Sequence, residues 1–469
     1  MDNVTQIFGA PGCGKTTFLM SILEDELERV KPHEVAFVSF TRKGTYEGVE
    51  RAARLFNLEP NALPYFRTLH SIAFRHGEYS KHDMLDRHDY KVFSTAMGMK
   101  FTGYYSEDFF NTEDDKYLFM HFLKRNNPAA AERVMDDVDA RVLADVEHNF
   151  QRYKKFASVH DFTDIIERFV AAKEPLPVKV AIIDEAQDLT TLQWNMCEVA
   201  FANCDRIYVA GDDDQAIYEW SGADVSYFLN LHPRERKILD KSYRLRRNVL
   251  DFASRITGLM KKRVAKEFDP IDDGGEVLFH NTLADVHIVP GESYYFLARN
   301  NWFLQYYRDH LRQTARVFSD KDVPSVNPKH IEAINAFERA KKRGKLTDIE
   351  EMKLKLLSKN GIDLSKPWFE VLDIPNDLMA YYKDLIKYKV DVRASCGMVN
   401  TIHGVKGGEA DNVVVMMDFT RAVRKNMERN PDSELRCLYV ACTRAKKRLH
   451  IVHSSSKNGY DDFIGVEHA

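Results

Sequence analysis

The stretch Val4-Thr5-Gln6-Ile7-Phe8-Gly9-Ala10-Pro11-Gly12-Cys13-Gly14-Lys15-Thr16-Thr17 decides the fold class. Its first five residues read as a strand, Gly9 to Thr16 fit G-x-x-x-x-G-K-[ST], and a helix-compatible run over residues 17–29 follows. In that order, glycines let consecutive backbone N–H groups turn inward around phosphate oxygens, and the helix N-terminus adds its positive end. Gly9, Ala10, Pro11, Gly12, Cys13, Gly14, Lys15, Thr16 and Thr17 are therefore the candidate phosphate-binding residues. Lys15 would neutralise the β and γ phosphates of a nucleotide, and the Thr16 hydroxyl would face Mg²⁺.

A second stretch supplies the partner. Residues 178–183 are almost wholly apolar and run into Asp184-Glu185-Ala186-Gln187-Asp188. A strand ending in two adjacent carboxylates can direct one to a metal and the other to an attacking water. Asp184 would hold Mg²⁺, and Glu185 would act as the base or orienting group. Together the two stretches predict ATP or GTP hydrolysis.

Further apolar runs at residues 35–40, 206–210, 294–297, 413–417 and 449–452 show little polar alternation. Such runs suit strands buried on both faces of a parallel sheet, and the helical patterns between them predict doubly wound α/β lobes. Their clustering implies two sheets, each interrupted by a long, mainly helical insertion. The first insertion covers residues 76–150, with helical stretches at 115–125 and 130–153. The second covers residues 301–396 and includes a basic helical stretch at 337–359, whose plainest reading is a solvated helix face.

At about 150 residues per domain, 469 residues leave room for three or four domains. Lys plus Arg (67) nearly balance Asp plus Glu (71), which excludes a histone-like polycation but not a local basic groove. A hydrophobic content of 44% excludes a disordered chain. The six cysteines form no C-x-x-C pair, and Cys437 and Cys442 lack histidines at zinc-ligand spacing, so reduced, buried thiols are expected. No basic-flanked apolar leader opens the sequence, and no run approaches ~18 apolar residues, so neither a targeting signal nor a membrane span is expected. A cytoplasmic location follows as the expectation.

Three further segments make the reading specific. They are Val209-Ala210-Gly211-Asp212-Asp213-Asp214-Gln215-Ala216-Ile217-Tyr218, Ile402-His403-Gly404-Val405-Lys406-Gly407-Gly408-Glu409 and Leu438-Tyr439-Val440-Ala441-Cys442-Thr443-Arg444-Ala445. With them the chain resembles the UvrD/Rep-type superfamily 1 DNA helicases, and motifs in family order span residues 9–448. The resemblance implies two RecA-like lobes, the first over residues 1–75 and 151–235, the second over 236–300 and 397–469. It makes Gln215 the sensor of the γ-phosphate and Tyr243 the aromatic that stacks on the nucleotide base. Arg244 and Arg444 become arginines that the second lobe extends to the γ-phosphate. Glu409 would accept a hydrogen bond from the ribose, with Lys406 near the same interface.

On the DNA side the resemblance assigns Phe40, Thr41 and Lys43, then Thr68 and His70, to the first lobe's contacts. Tyr218 and Trp220 would stack bases, and Arg299, Asn300, Thr401 and His403 would serve the second lobe. Aromatic faces accept any base while hydroxyls and cations follow the backbone, which gives binding without sequence preference. Core packing is the competing reading for Phe40 and Trp220. The activity implied is ATP-dependent, Mg²⁺-requiring 3′-to-5′ movement on single-stranded DNA with unwinding at single-strand/duplex junctions, with room for a protein partner that loads or activates it. The rivals are a translocase that remodels protein–DNA complexes without unwinding, and a non-motor NTP-binding regulator.

This sequence also departs from the family pattern. Only eight residues precede Gly9, so the glutamine motif that reads adenine has no counterpart, and Gln6 falls within the strand. Ser221 stands where many relatives have an arginine. Asp161-Phe162-Thr163-Asp164 resembles the short acidic motif that returns the chain from the first insertion. Both insertions are short, implying reduced accessory domains, and the tail after Arg448 is too short for a fused nuclease.

Overall fold

Two sheets organise the chain in the computed structural model, which describes residues 3–40, 42–57, 59, 62–106 and 110–465. Thr41 lies outside the described residues, and for Lys43 only the backbone is described. The chain forms two units: residues 1–273 with 426–440, and residues 274–425 with 441–469.

The first unit carries six strands: β1 (Val4–Gly9), β2 (Val35–Ser39), β3 (Tyr65–Arg67), β4 (Val180–Asp184), β5 (Arg206–Gly211) and β6 (Glu235–Leu239). Their order is β3-β2-β4-β5-β1-β6, and every pairing is parallel. β2 and β4 are buried at every position, as strands covered on both faces must be. Alternate residues feed two cores. Phe8, Val38, Ile183 and Val209 point into one, and Ile7, Phe37, Ile182 and Ala210 into the other. The helix Lys15–Leu27 is tied to the sheet by Glu26, which is 1% exposed and accepts hydrogen bonds from Arg206 Nε and Nη2 and from the Tyr208 hydroxyl.

The helices between β3 and β4 form a separate apolar cluster around Phe93, Leu118, Leu143, Val146 and Phe150. The stretch expected as one helix over 130–153 is two, Pro128–Val134 and Ala140–Ala157, because Asp139 caps the second with its carboxylate. Asp161 and Asp164 close a capping box at the helix Phe162–Ala172 and pair with Arg125 and Lys154 at the return from the insertion.

The second unit carries β7 (Glu276–His280), β8 (Tyr294–Ala298), β9 (Ser319–Asp320), β10 (Val323–Pro324), β11 (Met398–Thr401), β12 (Ala410–Met416) and β13 (Ala445–Val452). The order is β10-β9-β11-β8-β12-β13-β7, antiparallel only between β9 and β10. Helices between β10 and β11 pack on their own core of Ile334, Phe337, Trp368 and Tyr382. The basic stretch at 337–359 is broken at Gly344, whose φ of 73° ends the helix Pro328–Arg343 before Thr347 caps Asp348–Lys355.

The α/β architecture of two helix-flanked parallel sheets is the one expected, but the boundary between the lobes is not. A first lobe ending at residue 235 would cut β6 after its first residue, although β6 pairs with β1 from Thr5↔Glu235 to Gly9↔Leu239. Residues 236–273 therefore stay with the first unit, and residues 426–440 join it. None of the six cysteines is in a disulfide, and only Cys396 is not buried. No helix among the described residues is long and apolar enough to cross a membrane.

Candidate active site

The candidate residues of the first unit collect where parallel strands end at their carboxyl side, the edge at which α/β sheets bind ligands. β1 leads into the phosphate loop, β2 into Phe40, β4 into Asp184 and Glu185, β5 into Asp212, and β6 into the segment holding Tyr243 and Arg244. Gly12 and Gly14 both have φ of 74°, a left-handed conformation that a residue with a Cβ adopts only at a cost. The loop is closed by Cys13 N–H donating to the Ala10 carbonyl at 3.1 Å. Lys15, Thr16 and Thr17 open the following helix, whose first turn holds no acidic side chain, so its positive end is left for an anion.

Lys15 Nζ lies 3.3 Å from Glu185 Oε1. Burial alone would lower the Lys15 pKa, but the carboxylates of Glu185, Asp184 and Asp212 outweigh it and hold the ammonium above its ordinary value. Asp184 is pushed up to about 6 by burial and by the neighbouring Glu185, against the pull of Lys15. A buried Asp184 and a half-exposed Glu185 facing one ammonium form a pocket with a surplus of negative charge. That surplus, with the Thr16 hydroxyl, suits a hard divalent cation bound through oxygen.

Glu185 itself has φ of 54°, a left-handed conformation costing about 1–2 kcal/mol for a residue with a Cβ. A residue that the sequence reading passed over holds it there. Gln187 Nε2 donates to Glu185 Oε2 at 2.7 Å, and Gln187 Oε1 accepts from the Asp212 backbone N–H at 3.0 Å. Asp212 Oδ2 in turn accepts from Gln215 Nε2 at 2.6 Å. An unbroken chain of hydrogen bonds thus joins the end of β4 to the turn after β5. The only sequence signal for Gln187 is its place two residues after Glu185.

Tyr243 and Arg244 require a correction. Both were expected from the second lobe, yet both belong to the first unit and lie against the phosphate loop. Ser242 Oγ donates to the Pro11 carbonyl at 2.8 Å, and Tyr243 N–H donates to the Gly12 carbonyl at 2.8 Å. The Tyr243 ring is 62% exposed beside Gly14, an open aromatic face next to the loop. The cause is β6, whose pairing with β1 delivers the next residues to the loop.

Past Gln215, Tyr218 packs its ring against Phe40 with centroids 5.3 Å apart, and both rings are half-buried. Phe40 also rests on the first unit's core, as its core-packing reading expects. Trp220 is half-buried too, and its Nε1 is enclosed with no hydrogen-bond partner among the described residues. Thr68 caps the helix Leu69–His76 by accepting from the Ser71 N–H, and the His70 ring meets Phe162 edge-on at 5.8 Å.

In the second unit Arg444 is 1% exposed and donates to the Gly408 carbonyl at 3.3 Å and to Thr443 Oγ1 at 3.2 Å. Glu409 is exposed, 3.9 Å from Lys446 Nζ, and Lys406 is half-buried. Arg299 and Asn300, expected as DNA contacts, are 4% and 3% exposed, and Asn300 Oδ1 accepts the Thr420 N–H at 3.0 Å. Their side chains are enclosed because β8, which they follow, is central in its sheet. Thr401 and His403 are half-buried, with Thr401 Oγ1 accepting from Gly404 N–H.

A phosphate loop facing two strand-end carboxylates, on the carboxyl edge of a parallel sheet, defines a phosphate-loop α/β protein. The UvrD/REP helicase N-terminal domain profile matches residues 1–235, and the UvrD-like helicase C-terminal domain profile matches residues 397–452. The chain belongs to the UvrD/Rep helicase family. Among curated relatives, the "ATP-dependent DNA helicase PcrA" of Staphylococcus epidermidis (strain RP62A) is 24% identical over 300 residues, covering 58% of this chain and 40% of that protein. The protein of the same name from Staphylococcus aureus (strain Mu50) is 24% identical over 304 residues, with the same coverage. The chain thus spans 40% of the length of these relatives. A solved structure described as the PRRSV helicase aligns at a TM-score of 0.36 and 10% identity over 96% of this chain and 52% of that one, too distant to carry an argument.

Proposed function

We propose that this protein is an ATP-hydrolysing motor that moves 3′ to 5′ along single-stranded DNA and unwinds duplex at single-strand/duplex junctions. The observation that carries the proposal is the hydrogen-bonded chain Glu185–Gln187–Asp212–Gln215. It joins the carboxylate suited to orient a water with the turn that leads into Tyr218 and Trp220. A non-motor nucleotide binder has no use for such a connection.

In this reading the phosphate loop and Lys15 bind the β and γ phosphates, and Tyr243 stacks on the base. Mg²⁺, held by Thr16 and Asp184, supplies charge neutralisation at the phosphates when bound. Glu185, held by Gln187, orients the attacking water and takes its proton. Arg244, whose Cβ stands over Gly12, serves from beside the loop. Tyr218, Trp220 and Phe40 stack bases, each worth roughly 1–3 kcal/mol, which binds any sequence.

The test is hydrolysis measured with and without single-stranded DNA, followed by displacement from 3′-tailed and 5′-tailed duplexes. Stimulation by single strands and displacement only from the 3′ tail are expected. Lys15→Ala should abolish hydrolysis while leaving DNA affinity within about twofold, since that residue lies in the phosphate site and not among the base-stacking residues. Stimulated hydrolysis without displacement from either tail would leave a translocase that does not unwind, and an unstimulated rate would remove the motor reading.

A further inference from the structure

Asp212, Asp213 and Asp214 are each 0% exposed, and one carboxylate oxygen from each falls within 4.8 Å of the others. Three carboxyl groups enclosed so closely are tolerated only where cations and hydrogen bonds compensate them. Two side chains from residues 261–266 supply the compensation. Lys266, whose side chain is fully enclosed, lies 3.3 Å from Asp212 Oδ1 and 3.1 Å from Asp214 Oδ2, and contacts Asp213 more closely still. Arg263 grips Asp214 with both arms at 2.8 Å, and Val264 N–H donates to Asp213 Oδ2 at 2.8 Å. An ammonium thus occupies the place that three carboxylates would offer a metal ion.

The same six residues reach a second point. Lys261 and Lys262 donate their backbone N–H groups to Asp432, and the Lys262 carbonyl accepts from Arg436 Nη2 at 2.6 Å. Arg436 is 1% exposed, and its Nη1 pairs with Glu219 Oε1 at 2.6 Å. Asn430 Nδ2 holds the other oxygen of Glu219 at 2.7 Å. Glu219 sits between Tyr218 and Trp220. One strap therefore grips both ends of the loop over residues 212–220: the acid that orients Gln215, and the turn that bears the two aromatics.

We propose that this strap, residues 261–266, positions Gln215 against the loop's aromatics, with Lys266 the positioning residue at its catalytic end, so that bases seated on Tyr218 and Trp220 accelerate hydrolysis. The role rests on the motor reading above. Lys266 touches neither nucleotide nor DNA in it. It acts through Asp212, whose carboxylate it shares with Gln215 Nε2.

Lys266→Met alone would strand three carboxylates and endanger folding. Lys266→Met/Asp213→Asn removes one charge of each sign and keeps the cluster's net charge. In the full chain this double variant is expected to melt near the parent, with basal hydrolysis, ATP KM and DNA affinity within about twofold, but DNA-stimulated kcat lower by about tenfold. Adding Gln215→Ala to it should cost little beyond what Gln215→Ala costs alone, because both changes sever one connection. A purely structural role would shift the melting point and both rates together, leaving the stimulation ratio unmoved. An unchanged ratio in the folded double variant, or additive losses with Gln215→Ala, overturns the proposal. A parent protein with no stimulation would instead overturn the motor reading, and this role with it.

Discussion

Gly12 and Gly14 share a φ of 74°, so alanine at either meets the same backbone penalty of about 1–2 kcal/mol. Their surroundings differ. A Cβ on Gly14 would have nothing closer than the Tyr243 ring at 3.9 Å. On Gly12 it would fall 2.3 Å from the Arg244 Cβ and 3.2 Å from the Arg244 backbone nitrogen. Neither of those atoms can rotate away, so the backbone at 242–244 has to move. That movement strains the bonds from Ser242 Oγ to the Pro11 carbonyl and from Tyr243 N–H to the Gly12 carbonyl, both 2.8 Å. At about 0.5–1.5 kcal/mol each, their loss makes Gly12→Ala about 1–3 kcal/mol less stable than Gly14→Ala. The difference is readable as a gap of several degrees in melting at roughly 2–4 °C per kcal/mol, followed by tryptophan fluorescence, with Trp194 and Trp220 in the first unit. Arg244→Gly removes the opposing Cβ and should recover part of the loss in a Gly12→Ala background while doing nothing for Gly14→Ala. Equal stability of the two alanine variants would show that the 242–244 segment does not lie on the phosphate loop, and the placement of Arg244 would fall with it.

Two other predictions concern the site and the second unit. Gln187→Ala unties Glu185 and leaves the Asp212 N–H buried without its acceptor, so kcat should fall by about 10–100-fold and stability by about 1–3 kcal/mol, with ATP KM little changed; an unaltered kcat would refute the role given to Gln187. His450 is 3% exposed, and burial, helped by His280 and Arg448, lowers its pKa to about 4. Because the folded value lies below the unfolded one of about 6.5, the unfolded chain takes up a proton that the folded chain refuses, and stability falls as pH drops from about 6.5 to 4. At about 1.4 kcal/mol per pH unit, the loss approaches 3 kcal/mol, and His450→Leu should remove that slope in urea unfolding at pH 7 and pH 5. Identical pH dependence in parent and variant would place the proton elsewhere.

Most central strands were legible because burial on both faces demands apolar runs, as at β2, β4 and β12, whereas β11, four residues reading Met-Val-Asn-Thr, was not. The edge strands were not. β6 reads Glu-Arg-Lys-Ile-Leu and is largely exposed, β7 at the far edge of the second sheet is similar, and β3 has three residues. A strand with one neighbour needs little buried apolar surface, so β6 reads like a loop, and β7, though Val-Leu-Phe lies at its centre, is too short and exposed to stand out. Missing β6 carried a second error, since it moved Tyr243 and Arg244 to the wrong unit.

From local pattern alone came the phosphate loop, the strand-end carboxylates and the α/β class, because each depends on residues within a few positions of one another. The tertiary structure decided which strand flanks β1, where Arg244 stands, and what neutralises three buried aspartates. Lys266 is 53 residues from Asp213, and Arg436 is 217 residues from Glu219. Such charge pairs leave no periodicity to read; they exist only once the sheet has brought distant turns to one edge and removed the water between them.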